Sequence, residues 1–232
     1  YEILRCLVGS EMCIRDRGNA TSGVAIDKRK VTASTYEILV DGAKAESCIV
    51  TTPYENLHIL PSSLDLAAAE LEISDKKGRE SILKNALLPI KQYYDYIIID
   101  CPPSLGLITT NALTASDTFL VPIQCEYYAL EGLTQLMSTV RRIKRQYNNT
   151  IDIEGVLLTM YDGRLNLTQQ VVEEVKKFFP RKVFKTVIPR GVRLSEAPSF
   201  GMPVIYYDKN CKGSITYTEL AKEIIAKERS YE

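Results

Sequence analysis

Apolar residues in the second half of the chain occur in short continuous runs, separated by stretches with helical periodicity. Strands are predicted from the runs at residues 96–99, 119–123, 155–159 and 183–188. Helices are predicted near residues 105–115, 127–147, 165–179 and 214–229. A continuous apolar run is typical of a strand that is buried on both faces. The alternation therefore predicts an α/β fold, with a mostly parallel twisted sheet, right-handed crossovers and helices on both faces.

The first half of the chain gives a less regular pattern. Thr32 or Ser34 is placed to cap a helix that carries the apolar residues Ile38 and Leu39. Further strands are predicted at residues 49–51 and 57–60, and further helices at residues 62–73 and 79–93. Residues 1–17 show no clear helical or strand period and resemble translated sequencing-adapter read-through. We expect a non-native segment at residues 1–17 and one domain at residues 18–232, with a genuine but unusual N-terminus as the alternative.

Composition places the chain among ordinary soluble globular proteins. The 232 residues are 45% hydrophobic and 25% charged, and the formal net charge of +0 gives no overall nucleic-acid signal. No apolar run reaches 18 residues, and the first residues do not form a signal peptide. The six cysteines form no CxxC pair, which indicates reduced thiols in a cytoplasm.

The sharpest chemical signal is the segment YDYIIIDCPPSLG, in which an apolar strand ends at Asp100. Ligands of open α/β sheets bind at the carboxyl ends of the strands. A carboxylate there is suited to hold Mg²⁺, directly or through water, because magnesium prefers hard oxygen ligands. The alternative is a strand-ending aspartate that only caps the following helix.

Five segments, in this order, resemble motifs of the ParA-type partitioning ATPases, which belong to the MinD/ParA group of P-loop proteins. They are GNATSG (18–23), IIIDCPPSLGLITTNAL (97–113), VPIQCEYYALEGL (121–133), LLTMYDGRLNLTQQV (157–171) and TVIPRGVRLSEAPSFGMPV (186–204). The resemblance covers about residues 18–230. The ParA/Soj branch fits better than MinD, which lacks the YYALEG and VRLSEAPS segments in this form.

One departure from the family pattern concerns the loop that binds the nucleotide phosphates. The family carries a KGGVGKTT loop near its N-terminus, whose backbone amides cradle phosphates, and this sequence contains no such loop. We therefore expect the first strand–loop–helix unit to be missing from the α/β fold. The family's switch I aspartate falls on Arg15, and Asp16 is one position out of register, so its catalytic role is not transferred.

The resemblance implies the following site. Asp100 organises magnesium and the attacking water, and Asn19 and Thr21 lie near the γ-phosphate. Met160, Pro189 and Arg190 resemble the residues of the family's nucleotide-base pocket. The alternative is that Met160 only packs in the core and Pro189 only shapes a loop. Glu126, Tyr127 and Glu131 are expected at the dimer interface or the nucleotide.

The family also implies DNA binding without sequence preference. Arg164 and Arg193 match family positions that carry DNA-binding arginines, and Lys212 is a weaker third candidate. Residues 161–217 hold ten Lys/Arg and five Asp/Glu, although a charge excess of this kind is also typical of a solvated face.

The remaining polar candidates favour structural roles. His58 is the only histidine, so a catalytic triad or histidine metal site has no support. Cys101 and Cys125 are expected to be small buried thiols, and an iron–sulfur cluster shared across a dimer is the alternative.

The resemblance thus implies a cytoplasmic, nucleoid-associated ATPase that uses ATP and Mg²⁺. It would switch from a monomer to an ATP-bound homodimer on double-stranded DNA, and a ParB-type protein would stimulate hydrolysis. Two alternatives stay open. One is a MinD-like switch on a membrane surface, although the final helix has nearly balanced charges. The other is that the chain, without its phosphate loop, is an inactive fragment of such a protein.

Overall fold

The computed structural model describes residues 3–8, 19–63, 65–102, 104–125 and 129–229. The described strands are β1 Ile3–Val8, β2 Val50–Thr51, β3 His58–Ile59, β4 Tyr96–Cys101, β5 Thr118–Gln124 and β6 Asp152–Thr159. The described α-helices are α1 Asn19–Gly23, α2 Thr35–Val40, α3 Ala45–Cys48, α4 Leu66–Glu72, α5 Ile82–Leu87, α6 Leu107–Ala115, α7 Ala129–Gln146, α8 Asn166–Phe178, α9 Val192–Glu196, α10 Val204–Tyr207 and α11 Lys212–Glu228.

The main sheet is parallel and has the order β4-β1-β5-β6. Its crossovers through α6 and α7 are those that the alternating pattern predicts, and the α/β fold is confirmed. The strands β2 and β3 form a separate antiparallel pair, at the positions where short strands were predicted.

Helices cover both faces of the sheet. On one face, Phe119 and Val156 pack with buried residues of α6, α7 and α8. On the other face, Leu120 and Leu157 pack against Leu220 of α11. This two-sided packing orders the carboxyl ends of the strands along one edge, from which the candidate site residues follow.

The cap predicted for the helix that carries Ile38 and Leu39 is confirmed at Ser34, which precedes α2. The Ser34 side chain accepts a hydrogen bond from the backbone N–H of Tyr36, and Glu37 accepts from the backbone N–H of Ser34 in a capping box. The helix predicted over residues 79–93 is shorter, because α5 is flanked by 3-10 turns at Arg79–Ser81 and Lys91–Tyr93.

Two expectations from the sequence were wrong. Residues 183–188 form only an isolated bridge at Val183 rather than a strand. The strand β4 is not buried on both faces, because Tyr96 and Ile98 are exposed. Pairing and packing between distant segments decide both features, and a local pattern does not encode them.

Residues 3–8 form β1, which lies between β4 and β5 in the main sheet. The expectation that residues 1–17 are a non-native segment stays a prediction.

Candidate functional site

The candidate residues follow strands that end at the carboxyl edge of the sheet. Asp100 is the penultimate residue of β4, where it is paired in register with Leu7 of β1 and is exposed. Met160 follows β6 directly and is 37% exposed. Three inter-strand steps separate β4 from β6, which is about 14 Å across the sheet. The strand pairing places Asp100 level with Gly155, so Met160 lies five residues, about 16 Å, further along the strand direction.

The turn between Asp100 and α6 is held by side chains of two helices. The Thr109 hydroxyl donates to the Ser104 carbonyl at 2.6 Å, and the Thr110 hydroxyl donates to the Gly106 carbonyl at 3.0 Å. Glu70 of α4 accepts from the backbone N–H of Ile108 at 3.2 Å, in the first turn of α6. These bonds fix the path of the chain after Asp100.

Gly106 at the start of α6 lies close to the Glu70 carboxylate. A Cβ atom at Gly106 would lie 2.3 Å from a carboxylate oxygen of Glu70. Sequence reasoning missed Glu70, because its partner lies 38 residues away and no local pattern marks the pair.

The GNATSG remnant forms α1, which packs against the segment around Gly201. Asn19 begins the helix. Thr21 is 1% exposed, and its hydroxyl accepts a hydrogen bond from the backbone N–H of Ser62 at 3.0 Å. The Thr21 hydroxyl is therefore engaged within the protein and anchors this segment.

The residues that resemble a base pocket come together through backbone pairing. Tyr161 donates its N–H to the Ile188 carbonyl at 3.0 Å and forms a parallel bridge with Pro189. Met160 has a φ of 53°, a left-handed conformation that is uncommon for a residue with a side chain. The strained turn at Met160 and the exposed Arg190 thus lie on adjacent segments at the same edge.

Both arginines expected to bind DNA are exposed and paired with carboxylates. Arg164 makes two hydrogen bonds to Asp162, at 2.9 and 2.7 Å, and they lower the pKa of Asp162 to about 2. Arg193 bonds to Glu196 at 2.9 Å, which raises the pKa of Arg193, and its second carboxylate neighbour is Asp208 at 3.5 Å. Sequence reasoning did not identify these carboxylate partners.

The start of α11 contacts α9 through Gly213. A Cβ atom at Gly213 would lie 2.7 Å from the Leu194 side chain, so a glycine is needed at this crossing. Lys212 is the first residue of α11 and is exposed. Arg193 and Lys212 are thus the sequence neighbours of a contact pair, Leu194 and Gly213.

The remaining candidates behave as follows. Glu126 and Tyr127 lie outside the described residues, and Glu131 lies in α7. His58 packs edge-on against Tyr94 with ring centroids 5.7 Å apart, a structural role. Cys101 and Cys125 are buried, as predicted, and burial raises the pKa of the Cys125 thiol to about 11.

The described residues fit one part of a magnesium–nucleotide site. Asp100 supplies a single exposed carboxylate at the ligand edge, and magnesium in nucleotide sites commonly uses one or two carboxylates with substrate phosphates and water. Within the described ranges, no cluster of three or more His, Cys, Asp or Glu residues is placed to hold a metal alone. A phosphate cradle of the family type is not encoded in the 232 residues.

The parallel α/β sheet, with an aspartate at the carboxyl end of an apolar strand, has the architecture of the MinD/ParA-like P-loop proteins. Solved structures support this class. The cobyrinic acid a,c-diamide synthase of Mycobacterium smegmatis with bound ADP and magnesium matches with a TM-score of 0.81 and 29% identity, over 100% of this chain and 84% of that chain. The cell division ATPase MinD of Pyrococcus furiosus matches with a TM-score of 0.73 and 21% identity, over 97% and 86%.

Comparison with known protein sequences identifies the family within this class. Residues 14–153 match the family model described as AAA domain. The sporulation initiation inhibitor protein Soj of Bacillus subtilis is 57% identical over 92% of this chain and 84% of its own length. The chromosome partitioning protein ParA of Myxococcus xanthus is 47% identical over 91% and 75%. The chain belongs to the Soj/ParA family of chromosome-partitioning ATPases, which confirms the resemblance.

None of the helices in the described ranges is both long enough and apolar enough to cross a bilayer.

Proposed function

We propose that this chain is the body of a DNA-partitioning ATPase that alternates between a monomer and an ATP-bound dimer on DNA. The observation that carries the proposal is the shared sheet edge. Asp100 and the turns that carry Arg164 and Arg193 all follow the carboxyl ends of strands or bridges there. In this proposal a change at the nucleotide acts on the DNA-binding turns through this edge of the sheet. The homodimer, the ParB-type partner and a cytoplasmic, nucleoid-associated location belong to the same proposal.

Asp100 is assigned to magnesium. Bound magnesium supplies charge neutralisation for the transferred phosphoryl group and a template for its geometry. The contribution of Asp100 is an oxygen ligand, direct or through water, at the end of a strand. The hydrogen bonds of Thr109, Thr110 and Glu70 fix the first turn of α6 just after Asp100, and positioning of an attacking water requires fixed groups of this kind.

The nucleotide base is assigned to the opposite end of the edge. In this assignment the phosphates lie at the end of β4 and the base lies beyond the end of β6, on the side of Met160. Pro189 and Arg190 line the same end, and Asn19 and Thr21 belong to the switch segment. Since the Thr21 hydroxyl is buried and bonded to Ser62, its support for the site is indirect: it anchors α1.

DNA binding is assigned to Arg164, Arg193 and Lys212. All three are exposed, and Arg193 and Lys212 are next in sequence to Leu194 and Gly213, which are in contact. Arginine and lysine side chains at these positions suit phosphate neutralisation, which does not depend on the base sequence.

The packing of the final helix favours DNA partitioning over a MinD-like membrane switch. Leu220 of α11 is buried on the sheet and Glu223 accepts from the backbone N–H groups of Lys185 and Thr186.

The proposal is tested by measuring the affinity for duplex DNA in the presence of ATP and magnesium. The 232-residue chain is compared with a chain extended by an N-terminal unit that carries KGGVGKTT. We expect ATP to increase duplex affinity only in the extended chain. Arg193→Ala should then weaken this binding about tenfold and lower the salt slope by about one, because one phosphate contact is lost. Affinity is measured by fluorescence anisotropy at several salt concentrations.

Lys222→Ala is the matched control, because Lys222 is an exposed cation on the outer side of α11. It should leave the ATP-dependent affinity within twofold of the parent. Lipid binding without DNA binding by the extended chain would favour the MinD-like alternative. ATP binding by the printed chain would contradict the assignment of the phosphate loop to the added unit.

A further inference from the structure

The chain after α9 makes a close backbone contact with the end of α1. Gly201, which follows the 3-10 turn Ala197–Phe200, has a φ of 62°, in the left-handed region that favours glycine. A Cβ atom at Gly201 would lie 3.1 Å from the Cα atom of Ala25 and 3.2 Å from the Ser22 carbonyl oxygen. We call residues 197–202 the Gly201 segment. The end of α1 cannot move toward this segment without displacing it, because no free space separates the two backbones.

Tyr54 adds a second connection to the Gly201 segment. It lies in the turn between β2 and β3, and its hydroxyl donates a hydrogen bond to the Gly201 carbonyl at 3.1 Å. The ring of Tyr54 also contacts the ring of Tyr206 in α10, with centroids 4.5 Å apart. The backbone N–H of Ser62, just after β3, donates to the Thr21 hydroxyl of α1. The helix α1, the β2–β3 pair and the Gly201 segment are therefore each in contact with the other two.

The Gly201 segment is in turn connected to Arg193 through Tyr207. Phe200 stacks on the Tyr207 ring, with centroids 5.2 Å apart. The Tyr207 hydroxyl donates to the Oε2 atom of Glu196 at 3.2 Å, and Arg193 donates to the same oxygen at 2.9 Å. The guanidinium carbon of Arg193 lies 5.9 Å from the centroid of the Tyr207 ring. The placement of the Arg193 side chain therefore depends on groups that adjoin the Gly201 segment.

Few buried side chains anchor this part of the chain. Among residues 192–207 only Ala197 is buried, and Leu194 is partly buried at the edge of an apolar cluster. A segment with few buried apolar contacts is displaced at a low cost in free energy. The contacts that Tyr54 and α1 make with the Gly201 segment are therefore a large share of what fixes its position.

We propose that Tyr54 is a positioning residue for DNA binding, whose bond to Gly201 makes the placement of Arg193 depend on the position of α1. This inference rests on the proposed function, in which α1 belongs to the switch segment and Arg193 binds DNA. ATP repositions α1, and α1 moves the Gly201 segment both directly and through the β2–β3 pair. The Arg193 side chain follows, because the contacts of Tyr207 connect it to the Gly201 segment.

The test measures the duplex DNA affinity of the extended chain, with and without ATP and magnesium, by fluorescence anisotropy. Tyr54→Phe removes the hydroxyl that donates to Gly201 but keeps the ring that contacts Tyr206. We expect the ATP-dependent increase in affinity to fall about threefold to tenfold, the range for one hydrogen bond. The salt slope with ATP should fall by up to about one, because the phosphate contact of Arg193 is weakened. The affinity for ATP and the nucleotide-free affinity for DNA should not change.

Tyr93→Phe is the matched control, because it removes a hydroxyl from a ring that is 73% exposed and lies outside these contacts. It should leave the ATP-dependent increase unchanged. A double-mutant cycle with Arg193→Gln shows whether Tyr54 acts through Arg193. We expect the double variant to bind DNA no more weakly than Arg193→Gln alone. Additive losses would overturn the proposal, as would an unchanged ATP-dependent increase in Tyr54→Phe.

A second measurement separates this proposal from the proposed function. Hydrogen exchange of backbone amides is followed in the 232-residue chain without nucleotide, for the parent, Tyr54→Phe and Tyr93→Phe. Tyr54→Phe should accelerate exchange in residues 192–207 and in residues 19–26, whereas Tyr93→Phe should change neither. Acceleration confined to residues 52–57 would show that the Tyr54 bond connects nothing further. An extended parent chain without ATP-dependent DNA binding would contradict the proposed function, and the exchange result would then decide the connection by itself.

Discussion

At the scale of single residues, the arginines assigned to DNA are held by carboxylates of their own chain. The Asp162 side chain is bonded to the Arg164 backbone N–H at 3.1 Å and to its guanidinium. This geometry orients Arg164 but also places a negative charge where a phosphate would approach. A DNA phosphate must therefore compete with Asp162 for the same donors.

We expect Asp162→Asn, in the extended chain with ATP and magnesium, to increase duplex affinity about twofold to fivefold, the range expected for losing one exposed ion pair. Anisotropy titrations measure the change. Asp95→Asn is the control, since Asp95 is an exposed carboxylate just before β4. Weaker binding by Asp162→Asn would mean that orientation of Arg164 outweighs the competition.

The pKa of Asp162 sets the pH range of this effect. Its pKa is lowered to about 2 in the folded chain, so the carboxylate stays charged through neutral pH. A lowered pKa means that the ion pair is present above the ordinary aspartate range and is lost only as pH falls toward 2. The affinity difference between the parent and Asp162→Asn should therefore be constant from pH 6 to 8.

At the scale of elements, buried amides connect helices whose ends would otherwise leave carbonyls unsatisfied. The Asn148 amide nitrogen lies 3.1, 3.3 and 2.7 Å from the carbonyl oxygens of Leu113, Thr114 and Ser116. Asn148 is 6% exposed and follows α7, whereas the carbonyls belong to the end of α6. The side chain thus joins two helices at the amino edge of the sheet.

Asn148→Ala should lower the free energy of unfolding by about 2 kcal/mol, because buried carbonyls lose their donor. Urea denaturation followed by circular dichroism measures the change. The neighbouring Asn149 is exposed, and Asn149→Ala should shift the value by less than about 0.5 kcal/mol. Similar effects of the two substitutions would show that the amide bonds do not carry the difference.

At the scale of the whole molecule, the sheet has an edge at β4. Within the described residues β4 pairs only with β1, and Ile98 on one face is 63% exposed. Tyr96, on the same face, hydrogen-bonds Glu228 near the end of α11, so the helix reaches this face without covering Ile98. An apolar edge strand with an open face is a site of self-association, and a net charge of +0 offers no compensating repulsion.

Ile98→Lys should reduce self-association of the printed chain, because a lysine on an edge strand opposes strand pairing. Sedimentation velocity and light scattering over a concentration series provide the measurement. Leu71→Lys adds the same charge at a residue of α4 that is 80% exposed, and it should change little. An equal decrease in self-association for both variants would mean that net charge, rather than the β4 edge, is responsible.

Much of this molecule was predictable from local sequence. The apolar runs gave β4, β5 and β6, and the periodic stretches gave α6, α7, α8 and α11, because strand and helix periods are properties of neighbouring residues. The Ser34 cap and the family membership were also predicted, since both depend on short motifs. The roles of Asp100, Arg164 and Arg193 follow from those motifs and stay predictions.

Tertiary structure decided the features that join distant segments. The place of β1 in the sheet, the exposure of Ile98 and the Glu70 contact to the start of α6 each depend on residues far apart in sequence. The same holds for the Leu194–Gly213 contact between α9 and α11. The sequence alone determined which elements form and which motifs they carry, because those signals are local. Only packing determined which side chains meet, because burial and pairing are settled between elements.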